Sequence, residues 1–174
     1  MAAATGWGRA TVAQRLEALS ASGLIRPAGE LASTGGRRAA LFEFNAGAGM
    51  VLAAEIGATH VRAAVTDLAA NVVADVTEEV SAAEGPETVL SLVQDRFVEL
   101  LDRMGRSRDD VFGVGIGLAA PVEFAAGRAV NPPIMPGWDG FEVATWMRER
   151  WGVPTLVDNE VNMMAAGEHA TTWS

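Results

Sequence analysis

Apolar positions recur along this chain with two different periods, and each period predicts a different kind of element. Val12, Leu16 and Leu19 repeat at helical spacing and predict a helix within residues 5–23, which Gly23 is placed to end. Leu24-Ile25-Arg26-Pro27 reads as a short strand, residues 29–38 as a polar, glycine-rich turn, and Ala40-Leu41-Phe42-Glu43-Phe44-Asn45 as the returning strand. From Gly49 the texture changes. Met50 to Gly57 is an apolar strand, Val61 to Thr66 a second and Asn71 to Val80 a third, with residues 67–71 the tight connection between the last two. Val89, Leu92, Val93, Phe97, Leu100, Leu101 and Met104 make one face of a helix over Pro86–Met104, with Pro86 in its first turn. Val111 to Leu118 has the look of a buried strand, interrupted by Gly113, Gly115 and Gly117. Phe141–Trp151 and Glu160–Thr171 read as helices, with Pro154–Val157 a strand between them. A three-strand meander followed by alternating helix and strand implies an α/β layer fold.

Composition narrows the class without naming a function. Hydrophobic residues form 49% of the 174, enough to build a core, and no apolar run reaches the length of a membrane span. The first residues lack the basic-then-apolar layout of a secretion signal, so a cytoplasmic location is expected and no membrane partner. With no cysteine there is no disulfide and no thiolate metal site, and His60 and His169 are too few and too far apart to suggest a metal cage. The net charge of −9 argues against a nucleic-acid partner until its distribution is considered. Residues 1–45 hold five arginines against three glutamates, a balance of +2, and the remainder carries −11. A basic front on an acidic body suits a DNA-binding module joined to a domain that does not touch DNA. Arg9, Thr11, Gln14 and Arg15 in the first helix, and Arg37 and Arg38 beside Gly35-Gly36 in the turn, are the candidates for phosphates and base edges. All 13 cationic side chains are arginine, so such contacts would be made by guanidinium forks.

Three segments carry chemistry in the acidic body. Glu55-Ile56-Gly57-Ala58-Thr59 puts a carboxylate, a glycine and a hydroxyl at a strand-to-strand turn, a combination suited to phosphate and metal handling. Gly115 to Val122, then Gly127-Arg128, then Asn131-Pro132-Pro133-Ile134-Met135-Pro136-Gly137-Trp138, delivers small residues to a strand end and follows them with a proline-stiffened loop. Such a loop holds a polar group, here Asn131, at a fixed place beside a small ligand. Asp158-Asn159-Glu160 leads from a strand into a helix, and an adjacent amide and carboxylate at a strand end can grip vicinal hydroxyls.

In this order the motifs resemble the ROK family, which groups bacterial sugar kinases with sugar-sensing repressors on an actin-like ATPase (ribonuclease H-like) fold. The resemblance covers essentially the whole chain. It implies a partial winged helix-turn-helix in residues 1–46, whose recognition helix begins near Thr5–Val12 and whose wing is tipped by Gly35-Gly36-Arg37-Arg38, with Arg38 where the family usually has proline. It implies that residues 47–174 are the N-terminal lobe of the sugar-kinase-like domain, with Glu55, Gly57 and Thr59 at the phosphate turn and Asn131, Asn159 and Glu160 facing the sugar. The family continues with a second lobe that this sequence does not contain, and its winged helix has earlier helices, so the chain is expected to be truncated at both ends.

Two departures separate the branches of the family. Glu160 stands where the kinases keep an aspartate base, and Glu55 where they keep the phosphate-turn aspartate. A carboxylate moved by about 1 Å can cost on the order of 100-fold in rate. The expectation is therefore a repressor that senses sugar without phosphorylating it, with a DNA operator and a small-molecule sugar as partners and a homo-oligomer as the intact form. No cofactor is expected for that reading. The alternative is a fragment of an ATP-dependent hexose kinase, which would use ATP and magnesium.

Overall fold

A computed structural model describes residues 5–30 and 40–172. The chain forms two compact units, Met1–Ala48 and Gly49–Ser174.

In the first unit, helix α1 (Arg9–Ala21) is followed by strands β1 (Ile25–Glu30) and β2 (Ala40–Phe44). Gly23 ends the helix with a positive φ of 75°. Its N–H donates to the Ser20 carbonyl, and that of Leu24 to Leu19. This pair of bonds satisfies carbonyls that the last turn would otherwise leave open. The strands pair antiparallel, with Arg26 opposite Glu43 and ion-paired to it. Asn45 ties the hairpin back to the helix end, its side-chain amide donating to the Gly23 carbonyl at 2.9 Å. Among the described residues of this unit none is buried. Val12 and Leu16 are half-covered, but Leu19, expected on the same packed face, is 41% exposed. The turn that carries Gly35, Gly36, Arg37 and Arg38 lies outside the described residues.

The second unit is built on a five-stranded mixed sheet. Strands β3 (Met50–Ile56), β4 (His60–Asp67) and β5 (Val72–Glu79) form the antiparallel meander; β6 (Val111–Leu118) and β9 (Thr155–Asn159) add in parallel, giving the order β5-β4-β3-β6-β9. Two short strands, β7 (Val122–Glu123) and β8 (Arg128–Ala129), pair as a separate hairpin. Helix α2 (Pro86–Arg103) makes the crossover from β5 to β6, α3 (Val143–Trp151) leads to β9, and α4 (Glu160–Thr172) follows it directly.

Strand alternation sorts the sheet into two faces. Leu52, Ile56, Val61, Val65, Ile116 and Leu118 all point to one face and are fully buried. There they meet α2 through Val89, Leu90, Val93, Phe97 and Leu100, and α3 through Val143 and Met147. The predicted stripe on α2 holds, except that Leu90 is buried, Leu92 is only half so, and the half-buried Met104 caps the helix rather than lying in it. The Phe97 and Trp151 rings meet edge to face at 6.0 Å and join the two helices. The other face carries Ala53, Ala64 and the three glycines of β6. A side chain at Gly117 would put its Cβ 3.4 Å from the Glu160 Cα, so bare backbone at this point is what lets the start of α4 lie on the sheet.

Candidate functional site at the carboxyl ends of the parallel strands

The sheet register brings the sequence motifs to one edge. Glu55 of β3 pairs with Gly117 of β6, which pairs with Asp158 of β9; Ile56, Leu118 and Asn159 form the next row. The carboxyl ends of parallel strands are where ligands bind in open α/β sheets. The Gly57–His60 turn closes with the Gly57 N–H donating to the His60 carbonyl at 2.9 Å. Ala119 N–H donates to the Ile56 carbonyl at 3.0 Å, so the turn holding Thr59 is laced to the segment leaving β6. Thr59 itself is exposed.

Glu55 and Glu160 line the same open cleft of about 230 Å3, floored by Ala53, Gly115 and Gly117 and walled by Met163. Arg62 also borders this cleft and pairs with Glu55 across β3 and β4, but its guanidinium turns to Asp75 at 2.9 Å. Glu55 instead has His60 Nε2 at 3.7 Å. Arg62 and Met163 carry no motif and were not candidates. The strand-pairing register places Arg62, and no local pattern states that register in advance.

Asn159 is more committed than a free sugar ligand would be. Its amide donates to the Ala120 carbonyl at 2.9 Å and to Leu118 at 3.5 Å. Its carbonyl oxygen accepts from the Val161 N–H at 2.9 Å, which caps α4. Asp158 accepts from the Asn159 N–H at 2.7 Å and from the Asn162 amide at 3.0 Å, holding the strand-to-helix corner. In this arrangement the Asn159 oxygen uses one of its two lone pairs within the corner itself.

Asn131 enters from the proline-stiffened loop. The Val130 N–H donates to the Pro121 carbonyl at 2.9 Å, next to the Ala120 carbonyl that Asn159 holds, so the segment after β6 is clasped from both sides. Met135 and Trp138 seat the loop in the core with no exposed surface. The Trp138 indole N–H donates to the Ala82 carbonyl at 2.9 Å. Asn131 is exposed, with a backbone φ of 45°. Its N–H donates to the Asp139 carboxylate at 2.7 Å. Asp139 was not a candidate either; the Asp-Gly pair at 139–140, a turn signal, was the available hint.

The DNA candidates of the first unit fall on α1. Thr11, Gln14 and Arg15 are exposed and, at helical spacing, share an arc of about 100°. Arg9 is exposed too, but it stands on the row of Val12 and Leu16 rather than with these three. Among the described residues no cluster of three or more His, Asp or Glu side chains is arranged to hold a metal ion.

The sequence profile of the ROK family matches residues 51–174. The xylose repressor of Bacillus spizizenii is 25% identical over 94% of this chain and 42% of its own length. The glucokinase of Halalkalibacterium halodurans is 26% identical over 66% of this chain and 34% of its own length. A ROK family transcriptional regulator, a homologue of the Escherichia coli Mlc protein, superposes with a TM-score of 0.76 over 97% of this chain and 42% of that one, at 15% identity, a likeness of fold. The chain thus spans about two fifths of the length of the xylose repressors it matches. With the profile running through every strand of the mixed sheet and the motifs gathered at its carboxyl edge, the chain belongs to the ROK family.

Proposed function

We propose that this chain belongs to a sugar-responsive transcriptional repressor that binds DNA through its first unit and an aldose through its second. The observation that carries this reading is the extent of the matches. Likeness to the xylose repressor runs over 94% of the chain, whereas that to the glucokinase covers 66%, a share close to that of the second unit alone. The helix and hairpin of residues 5–45 are the addition a kinase has no use for. In this reading they are the recognition helix and wing of a winged helix, with Thr11, Gln14 and Arg15 toward DNA and Arg37 and Arg38 at the wing tip.

Asn131, Asn159 and Glu160 face the sugar, and Glu55, Gly57 and Thr59 are what remains of a phosphate turn. Glutamate in place of aspartate at both charged positions keeps hydrogen-bonding capacity while degrading the geometry for phosphoryl transfer. The repressor names of the relatives make D-xylose the first aldose to try.

The test uses DNA from upstream of the chain's own gene, labelled and titrated with the protein with and without D-xylose, followed by fluorescence anisotropy. Specific binding that the sugar changes supports the reading. Sugar-dependent ATP turnover in a coupled assay, with no sugar effect on DNA binding, would replace it with a kinase.

A further inference from the structure

Asn131 sits in a conformation that must be held. A φ of 45° lies in the left-handed region, which residues with a side chain adopt uncommonly, asparagine more readily than most. The loop around it brings a partner into place. Met135 and Trp138 are anchored in the core, and the Gly140 N–H donates to the Ala129 carbonyl at 3.0 Å, closing the loop on its own stem. Asp139 lies between the Trp138 anchor and that closing bond, and its Oδ1 accepts the Asn131 N–H at 2.7 Å. An anionic acceptor makes this bond stronger than its neutral counterpart.

We propose that Asp139 is a positioning residue whose carboxylate holds the Asn131 backbone in its left-handed conformation, so that the Asn131 side chain is presented to the sugar. The proposal rests on the reading of Asn131 as sugar-facing. Without the carboxylate, Asn131 falls back to the extended region, and its side chain turns with the backbone. Asp139 needs no contact with the ligand for this role.

Two readouts test it on the whole chain. Hydrogen exchange of the Asn131 amide, followed by NMR, reports the bond directly. Asp139→Ala should speed that exchange about tenfold or more, while Asp139→Asn, which keeps an oxygen acceptor, should retain most of the protection. Calorimetric titration with D-xylose, L-arabinose and D-glucose reports the consequence: affinity about tenfold weaker in Asp139→Ala and largely rescued in Asp139→Asn. Unchanged Asn131 exchange in Asp139→Ala overturns the proposal, and so does unchanged affinity in a variant whose amide has been freed. If the unaltered chain takes up none of the three sugars, the sugar reading of the site fails, while the exchange data still decide whether Asp139 holds Asn131.

Discussion

Gly127 stands at a φ of 64° with its backbone against α3, where a Cβ would come within 2.3 Å of the Ala144 Cβ. Neither partner has a flexible end to move aside. Gly127→Ala is expected to destabilise the protein by about 2–4 kcal/mol, combining left-handed strain with overpacking, and urea unfolding should show a lower midpoint at unchanged slope. Trp138→Phe removes the indole N–H from the Ala82 carbonyl, which keeps the Gly85 N–H as a donor. A loss of about 1–2 kcal/mol in the same assay is the expected result. At this scale the sequence is uneven evidence. Asn131 and Glu160 could be picked out because their neighbours form motifs. Arg62 could not, because its role depends on strand register, and Asp139 only as part of a turn signal, because its role depends on a loop closing. Asn159 was legible as a site residue but not as a latch, since its backbone partners Leu118 and Ala120 lie about forty positions away in the chain.

The second unit's elements were readable wherever one period ran uninterrupted. The apolar stripe of α2 is the clearest case, and its centre, Phe97, is wholly buried between the sheet and Trp151. Phe97→Ala should cost about 3–5 kcal/mol, visible as a large drop in thermal midpoint. The β7–β8 hairpin was not foreseen, because two residues per strand are too short to show alternation. In α1, Leu19 kept the helical spacing yet is exposed, because periodicity reports which residues share a face and not whether anything covers it. Connections between elements set the response to acid. Hydrogen bonds from the Asn71 side chain and backbone, and from the Ala69 N–H, hold Asp67 below the usual carboxylate range. The Ser107 N–H, and then the charge of Arg106, do the same for Asp110. Both carboxyls bind a proton less readily folded than unfolded. Their contribution is therefore complete above the unfolded value and lost as pH falls through the lowered one. Thermal midpoints should fall as pH drops below about 4, and the double variant Asp67→Asn, Asp110→Asn should lose part of that slope.

For the whole molecule, the division at Ala48 and Gly49 separates two kinds of surface. Among the described residues, all of the buried core belongs to the second unit, and the excess of arginine over acid lies in the first. On the proposed reading, DNA affinity is expected to depend on salt through the first unit alone. Replacing Arg37 and Arg38 by Ala should reduce the slope of log K against log salt by about 0.9 for each phosphate contact removed, with DNA titrations at several salt concentrations as the measurement. An unaltered slope counts against the wing. Charge-reversing changes on the acidic second unit that leave the slope alone would confirm the division of labour.

The anchoring of Trp138 has an optical consequence. The chain contains no tyrosine, so its intrinsic near-ultraviolet emission comes from tryptophan alone. Trp138 is sealed from water at the foot of the loop that carries Asn131, whereas Trp7 is half exposed in the other unit. Emission from Trp138 should be blue-shifted and poorly reached by iodide, and it should redden when the loop leaves its seat. The protein carries its own lamp beside the proposed sugar, and a background with Trp7, Trp146, Trp151 and Trp173 all changed to Phe would let that signal be followed with no added dye.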